Sequence, residues 1–170
     1  MTDKPKKYVI DSNVLIEANR RYYSLDFAPA FWNFLIRSAK EGNVISIDKV
    51  YDEILNGKDN LAEWTKNKFS FAFAETKKDE KILEFYSTLM KWALMQDQFT
   101  QPAKDEFARN KNADAWIVAF AKIKGYVVVT QEVLDINIRK RIPIPNVCSE
   151  FKIEFMDTFQ MLRNLNFKFQ

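Results

Sequence analysis

The sequence predicts an α/β fold with a mostly parallel sheet covered by helices on both faces. Two observations carry that expectation. Short apolar runs at 7–10, 44–47 and 126–130 alternate with helical stretches, the pattern of successive βαβ units. The segment 113–124 is apolar nearly all round, and a helix of that kind is buried. There is no internal repeat, low-complexity tract or linker rich in Gly or Ser, so residues 1–170 are expected to form one domain.

In chain order, Lys7-Tyr8-Val9-Ile10 reads as a strand stopped by Asp11-Ser12-Asn13. Those three residue types cap helices, and Val14 to Asn19 reads as the helix that follows. Residues 28–40 carry Phe31, Trp32, Leu35 and Ile36 at helical spacing, with Pro29 near the start and Gly42 past the end. Val44-Ile45-Ser46-Ile47 reads as a strand, and Asp48 as the cap of a short helix ending at Asn56-Gly57. The stretch 58–111 is helical in pattern and rich in large side chains. Its clearest helix spans 81–96, with Ile82, Phe85, Tyr86, Leu89, Trp92 and Ala93 on one stripe, and Pro102 opens another. Trp64, Phe69, Phe71 and Phe73 in this stretch read as core before base-stacking platforms. Asn112 begins the buried helix and Gly125 closes it ahead of Tyr126-Val127-Val128-Val129-Thr130. Residues 142–147, interrupted by Pro143 and Pro145, read as an edge strand at best, and 153–165 as a final helix.

Composition narrows the chemistry. The 170 residues are 47% apolar and 29% charged, the balance of an ordinary globular domain. No apolar run approaches the roughly 20 residues of a membrane-spanning helix, and Tyr8-Val9-Ile10 is too short for the core of a signal peptide. A cytoplasmic location with no membrane association is the expectation. The chain has no histidine, which removes Ser–His and Cys–His nucleophile pairs, imidazole bases and His-ligated zinc. Cys148 is the only cysteine, so there is no intrachain disulfide or CxxC site, and its apolar setting reads as a small buried residue. What remains is carboxylates, amines, hydroxyls, or a hard metal held by oxygen, which points to Mg²⁺ or Mn²⁺.

The net charge of +3 favours an anionic partner only weakly. It means more if acids gather in one cleft, because the rest of the surface is then more basic. Basic groups stand at Lys4/Lys6/Lys7, Arg20-Arg21, Arg109/Lys111 and Arg139-Lys140-Arg141, and each is also readable as an ordinary solvated face.

Ligands of open parallel sheets bind beyond the carboxyl ends of the strands. Asp11 ends the first strand, Glu53 lies in the helix entered from the second, Asp114 starts the buried helix, and Glu132 follows the 126–130 strand. Four neighbouring carboxylates would raise one another's pKa unless a cation neutralised them, and a divalent ion does so. Taken singly, each has a structural reading. Asp11, Ser12 and Asn13 can cap a helix, and Glu53 can be a solvated helix acid. Asp52 borders the opposite side of the Val50/Tyr51/Ile54/Leu55 stripe, so helix geometry does not choose between it and Glu53. Asp114 is the only charged residue from 112 to 121, although an acid in a first helical turn also gains about 0.3–1 kcal/mol from the helix dipole. Glu132 alone can be a loop acid.

Tyr8 to Ile16, then Tyr51-Asp52-Glu53-Ile54-Leu55, then Asn112 to Ala119, then Val127-Val128-Val129-Thr130-Gln131-Glu132 resemble, in that order, the PIN domain. The likeness is to the branch found as the toxin half of prokaryotic toxin–antitoxin pairs, and it spans nearly the whole chain. It implies a three-layer α/β/α sandwich and Mg²⁺- or Mn²⁺-dependent cleavage of RNA. The family's four acids fall on Asp11, Glu53, Asp114 and Glu132, which would be metal ligands and catalytic groups. Ser12 or Asn13, and Thr130, match its supporting polar positions. Two departures stand out: the fourth acid is often Asp, whereas Glu132 reaches farther, and 58–111 is long for a minimal PIN domain.

The expected function is therefore a metal-dependent endoribonuclease with Arg20, Arg21, Arg139 and Arg141 as candidates to hold the RNA backbone. An antitoxin protein partner and a homodimer follow from the resemblance. The main rival is a PIN-like module that binds RNA or protein without chemistry. A response-regulator-like or phosphatase-like domain ranks lower, because Thr130-Gln131-Glu132 stands where such domains place a lysine.

Overall fold

The computed structural model describes residues 4–169; residues 1–3 and 170 of the expected domain lie outside the described residues. Strand β1 (Tyr8–Ile10) leads into helix α1 (Ser12–Glu17), which loosens into a π-helical turn at Ala18–Tyr22. Helix α2 (Pro29–Lys40) and strand β2 (Val44–Ile47) follow, then α3 (Asp48–Asn56) and α4 (Asn60–Trp64). Irregular helical turns lead to a short strand β3 (Phe73–Ala74). Helices α5 (Glu80–Met95), α6 (Gln101–Phe107) and α7 (Ala113–Lys124) precede β4 (Val127–Val129). The chain continues as α8 (Ile144–Glu150), β5 (Phe155–Met156) and α9 (Thr158–Asn164).

Among the described residues the sheet has five strands in the order β3-β2-β1-β4-β5, and every pairing is parallel. Helices cover both faces, as the alternation of strands and helices predicts. In the centre, Tyr8, Val9 and Ile10 pair with Val127, Val128 and Val129. Both strands are buried along their whole length, as central strands of a covered parallel sheet must be.

Helix α7 is the inner helix. Ala115 through Ala121 are all buried, and Trp116 stacks on Tyr86 of α5 with ring centroids 4.0 Å apart. Each large side chain taken fully out of water here stabilises the fold by about 1.5–3 kcal/mol. Helix starts are fixed by side-chain caps: Asp11 for α1, Asp59 for α4, Asp79 for α5, Thr100 for α6, Asn112 for α7 and Asp157 for α9. Each such cap contributes about 1 kcal/mol. Gly125, at φ 74°, ends α7 in the left-handed conformation and turns the chain into β4.

Five local expectations differ from the structure, the last of them Phe71. Residues 142–147 enter helix α8 instead of forming an edge strand: Pro145 occupies the first turn, where a missing N–H costs nothing. The stretch 153–165 divides into β5 and α9, because Asp157 makes a capping box with Gln160 and starts the helix there. The helical pattern of 58–111 is interrupted by β3, only two residues long and therefore without a readable period. Asp48 is the first residue of α3, with Ile47 at the N-cap position and no side-chain cap, and its carboxylate accepts from the Thr76 N–H and hydroxyl at 3.1 and 2.7 Å. Trp64 and Phe69 are core, as expected, while Phe71 is exposed. Cys148 is a buried free thiol that burial pushes up to about 12. Among the described residues no helix is long and apolar enough to cross a membrane.

Candidate functional site

The chain leaves β1 toward β2 on one side and leaves β4 toward β5 on the other. The carboxyl ends of β1 and β4 therefore flank the topological switch point, where an open parallel sheet offers a crevice. Asp11 stands at the first of these ends. Its N–H still donates to the Val129 carbonyl at 2.9 Å, and its carboxylate then caps α1, taking the Ser12 N–H on Oδ1 at 2.7 Å. Thr130, at the end of β4, donates its buried hydroxyl to Asp11 Oδ2 at 3.2 Å. The same Thr130 Oγ1 accepts from Asn13 Nδ2 and from the Glu132 N–H, each at 3.2 Å. Asn13 Oδ1 in turn accepts from the Gln131 N–H at 3.0 Å. The side chains of Asp11, Asn13 and Thr130 thus stitch the turn after β1 to the turn after β4, beside the Asp11–Val129 backbone bond.

Two acids arrive from helices. α7 runs into β4, so its N-terminus lies at the carboxyl edge of the sheet and brings Asp114 there. Asn112 caps that helix through the Asp114 N–H at 2.9 Å. Glu53, in the middle of α3, accepts from the Ala113 N–H on Oε1 at 3.1 Å. Asp52 is exposed and does not line the cleft beside these acids. Glu132 comes last: Oε1 takes Nη2 of Arg141, and Oε2 takes the Ile144 N–H at 2.7 Å.

These acids act on one another. Burial pushes Asp11 up to about 7, with repulsion from Glu132 and Glu53 adding to it; bonds from Ser12 and Thr130 offset only part. Asp114 is raised well above the usual carboxylate range, first by burial and then by Asp11, Glu132 and Glu53, against a partial pull from Arg141. Burial and the neighbouring acids thus oppose ionisation of both aspartates at the switch point, and Arg141 offsets part of this at Asp114.

Among the described residues these groups do not close into a ready cage of three or more ligands. Like charges keep apart, and protein donors already hold oxygens of Glu53 and Glu132. The donor chemistry nonetheless suits a hard divalent cation: all are oxygens, and Mg²⁺ commonly takes one or two carboxylates and fills its shell with water and substrate phosphate.

Beside the acids opens a cleft of about 420 Å³. Glu53, Glu106 and Asp114 are its acids, and Arg109, which is paired with Glu106 at 3.1 Å, Lys111, Lys140 and Arg141 its basic groups. Of the arginines expected to hold a nucleic acid, only Arg141 lines this cleft. Arg20, Arg21 and Arg139 are exposed and lie outside its lining, and Arg21 is paired with Glu17 at 2.8 Å. Sequence shows Arg109, Lys111 and Lys140 as basic groups but carries no signal that they share a cleft.

A family model described as "Domain of unknown function (DUF4411)" matches residues 8–169. The chain belongs to the DUF4411 family. No curated protein matches the sequence. Among solved structures, this DUF4411 chain is similar to one of VapBC2 from Rickettsia felis bound to a DNA fragment from their promoter. The identity is 16%, the TM-score is 0.52, and the match covers 88% of this chain and 97% of that one. It is also similar to FitAcB from Neisseria gonorrhoeae, at 15% identity and a TM-score of 0.53, over 88% of this chain and 96% of that one. Likeness at such identity is likeness of fold, and the fold of this DUF4411 protein is that of the PIN domain.

Proposed function

We propose that the protein is a Mg²⁺- or Mn²⁺-dependent endoribonuclease that acts as the toxin of a toxin–antitoxin pair. The observation that carries this reading is the mutual electrostatic coupling of Asp11, Glu53, Asp114 and Glu132, with the two aspartates shifted upward at the switch point of the sheet. Arg141 offsets part of the repulsion on Asp114, and a divalent ion would neutralise the rest.

Asp11, Glu53 and Asp114 would hold the ion, directly or through water, and Glu132 adds its charge to the same group. A bound divalent ion supplies Lewis acidity, acidifying water and stabilising charge that develops on an attacked phosphate. Thr130 and Asn13 keep Asp11 in one orientation, and Asn112 sets the first turn of α7 so that Asp114 reaches the same edge. Arg109, Lys111, Lys140 and Arg141 give the cleft the positive charge that a phosphate backbone requires. An antitoxin is the expected protein partner, supported by a fold shared with proteins solved as two-component complexes, and a homodimer remains part of the same reading.

The test is cleavage of single-stranded RNA by purified protein in Mn²⁺ or Mg²⁺, with and without chelator, beside Asp114→Asn. Cutting that requires metal and disappears in the mutant supports the reading. Cutting indifferent to chelator or to the substitution removes it, and a folded protein that binds no Mn²⁺ is a binding module instead.

A further inference from the structure

We infer that Glu132 is the anchor of Arg141 instead of a metal ligand, and that Arg141 is the residue that grips a phosphate of the bound RNA. The inference rests on the nuclease reading above and divides the four acids into two roles.

Among the described residues, Glu132 is the one of the four acids that is ion-paired with a basic side chain. Oε1 is bonded to Arg141 Nη2 and Oε2 to the Ile144 N–H, so both ends of the carboxylate face protein donors. A metal ion on Glu132 would compete with the Arg141 guanidinium for the same negative charge, a competition that the neutral donors on Asp11 and Glu53 do not impose. The Glu132 N–H donates to Thr130 Oγ1, the hydroxyl that also holds Asp11. Glu132 therefore ties Arg141 and the start of α8 to the framework of the site.

Arg141 is placed to use that support. Its side chain is 55% exposed, against 14% for Glu132, and it lines the same cleft as Glu53 and Asp114. Its positive charge already acts on Asp114. A guanidinium carries five N–H donors in a planar fork, so a bond to Glu132 through Nη2 leaves others to meet phosphate oxygens. An arginine fixed at one edge loses less side-chain freedom on binding than one free in solvent.

The test separates metal from RNA. Titration calorimetry with Mn²⁺ alone is expected to give Glu132→Gln a Kd within about threefold of the unmodified protein, while Asp114→Asn weakens binding at least about tenfold. Equal loss in both variants overturns the assignment and leaves the metal reading intact. Anisotropy of a labelled single-stranded RNA in chelator is expected to weaken about tenfold in Arg141→Ala, with partial recovery in Arg141→Lys. No change in Arg141→Ala overturns the assignment. In Mn²⁺, the double variant Glu132→Ala/Arg141→Ala should cut no more slowly than Arg141→Ala alone, whereas additive losses in kcat/KM refute an anchoring role. If Glu132→Ala does not fold, Glu132→Gln replaces it in the double variant. An unmodified protein that neither binds Mn²⁺ nor cuts RNA removes the nuclease reading and this assignment together.

Discussion

Glu53 Oε1 accepts a 3.1 Å hydrogen bond from the Ala113 N–H, which ties the middle of α3 to the residue immediately before Asp114. Helix periodicity alone leaves Asp52 and Glu53 equivalent, and this contact separates them. Glu53→Gln is expected to lower metal-dependent cleavage at least about 100-fold, the upper range for disturbing a metal site. Asp52→Asn, on the exposed side of α3, should stay within about twofold. Initial rates on one RNA substrate check both, and equal losses would restore Asp52 as a candidate.

Thr130 Oγ1 serves three partners at once: Asp11 Oδ2, Asn13 Nδ2 and the Glu132 N–H. Thr130→Val keeps the shape and removes the hydroxyl. We expect cleavage to fall about 10- to 100-fold. Thermal or urea unfolding should show a loss of about 1–3 kcal/mol from the buried groups left without partners. Thr130→Ser should recover most of both. A valine variant with full activity would show that Asp11 needs no support from β4.

The raised aspartates set a pH dependence for the metal-free protein. Asp11 titrates at about 7 when folded, against an ordinary 3.8. Between those values the native state keeps a proton that the unfolded chain has lost. Stability in chelator therefore falls as pH rises through this window and levels off above it, with Asp114 acting in the same direction. Melting temperatures from pH 4 to 8 in chelator, compared with Asp11→Asn, measure the effect. The slope should flatten in the variant, and an identical slope would mean that Asp11 is ionised throughout.

Saturating Mn²⁺ should raise the melting temperature more at pH 8 than at pH 5, because the ion competes with protons for the same carboxylates. In chelator at pH 8, Asp114→Asn should melt higher than the unmodified protein, since it removes a buried carboxyl that the fold keeps from ionising as it does in the unfolded chain. In Mn²⁺ that order should shrink or reverse. A variant less stable under both conditions would contradict the electrostatic account.

Gly125 ends α7 at φ 74°, and an added Cβ would meet nothing within 4 Å. The cost of Gly125→Ala is thus backbone strain alone, about 1 kcal/mol. Chemical denaturation should show that loss with cleavage unaffected per folded molecule. A neutral result would mean the turn into β4 relaxes to another conformation.

The central elements were readable because their signals are local. An apolar run followed by Asp11-Ser12-Asn13 makes a strand, a cap and a helix, and Gly125 between an apolar helix and three valines makes the α7–β4 turn. The edges were not. β3 and β5 are two-residue strands whose backbone bonds come from neighbours far along the chain, β2 and β4, and nothing in their own side chains announces the pairing. Pro143 and Pro145 were ambiguous for a related reason: proline refuses the interior of both strand and helix, and only the packing around Ile144, Val147 and Cys148 selects a helix start.

The sequence by itself determined the class of fold, the absence of histidine and disulfide chemistry, and the positions along the chain where acids could meet. Only the tertiary structure decided which of them interact, that Glu53 rather than Asp52 reaches α7, and that Arg141 shares their cleft while Arg20 and Arg21 lie outside it. The physical reason is separation: Asp11 and Thr130 are 119 positions apart, and no local propensity encodes a 3.2 Å contact between residues that only the pairing of β1 with β4 makes neighbours.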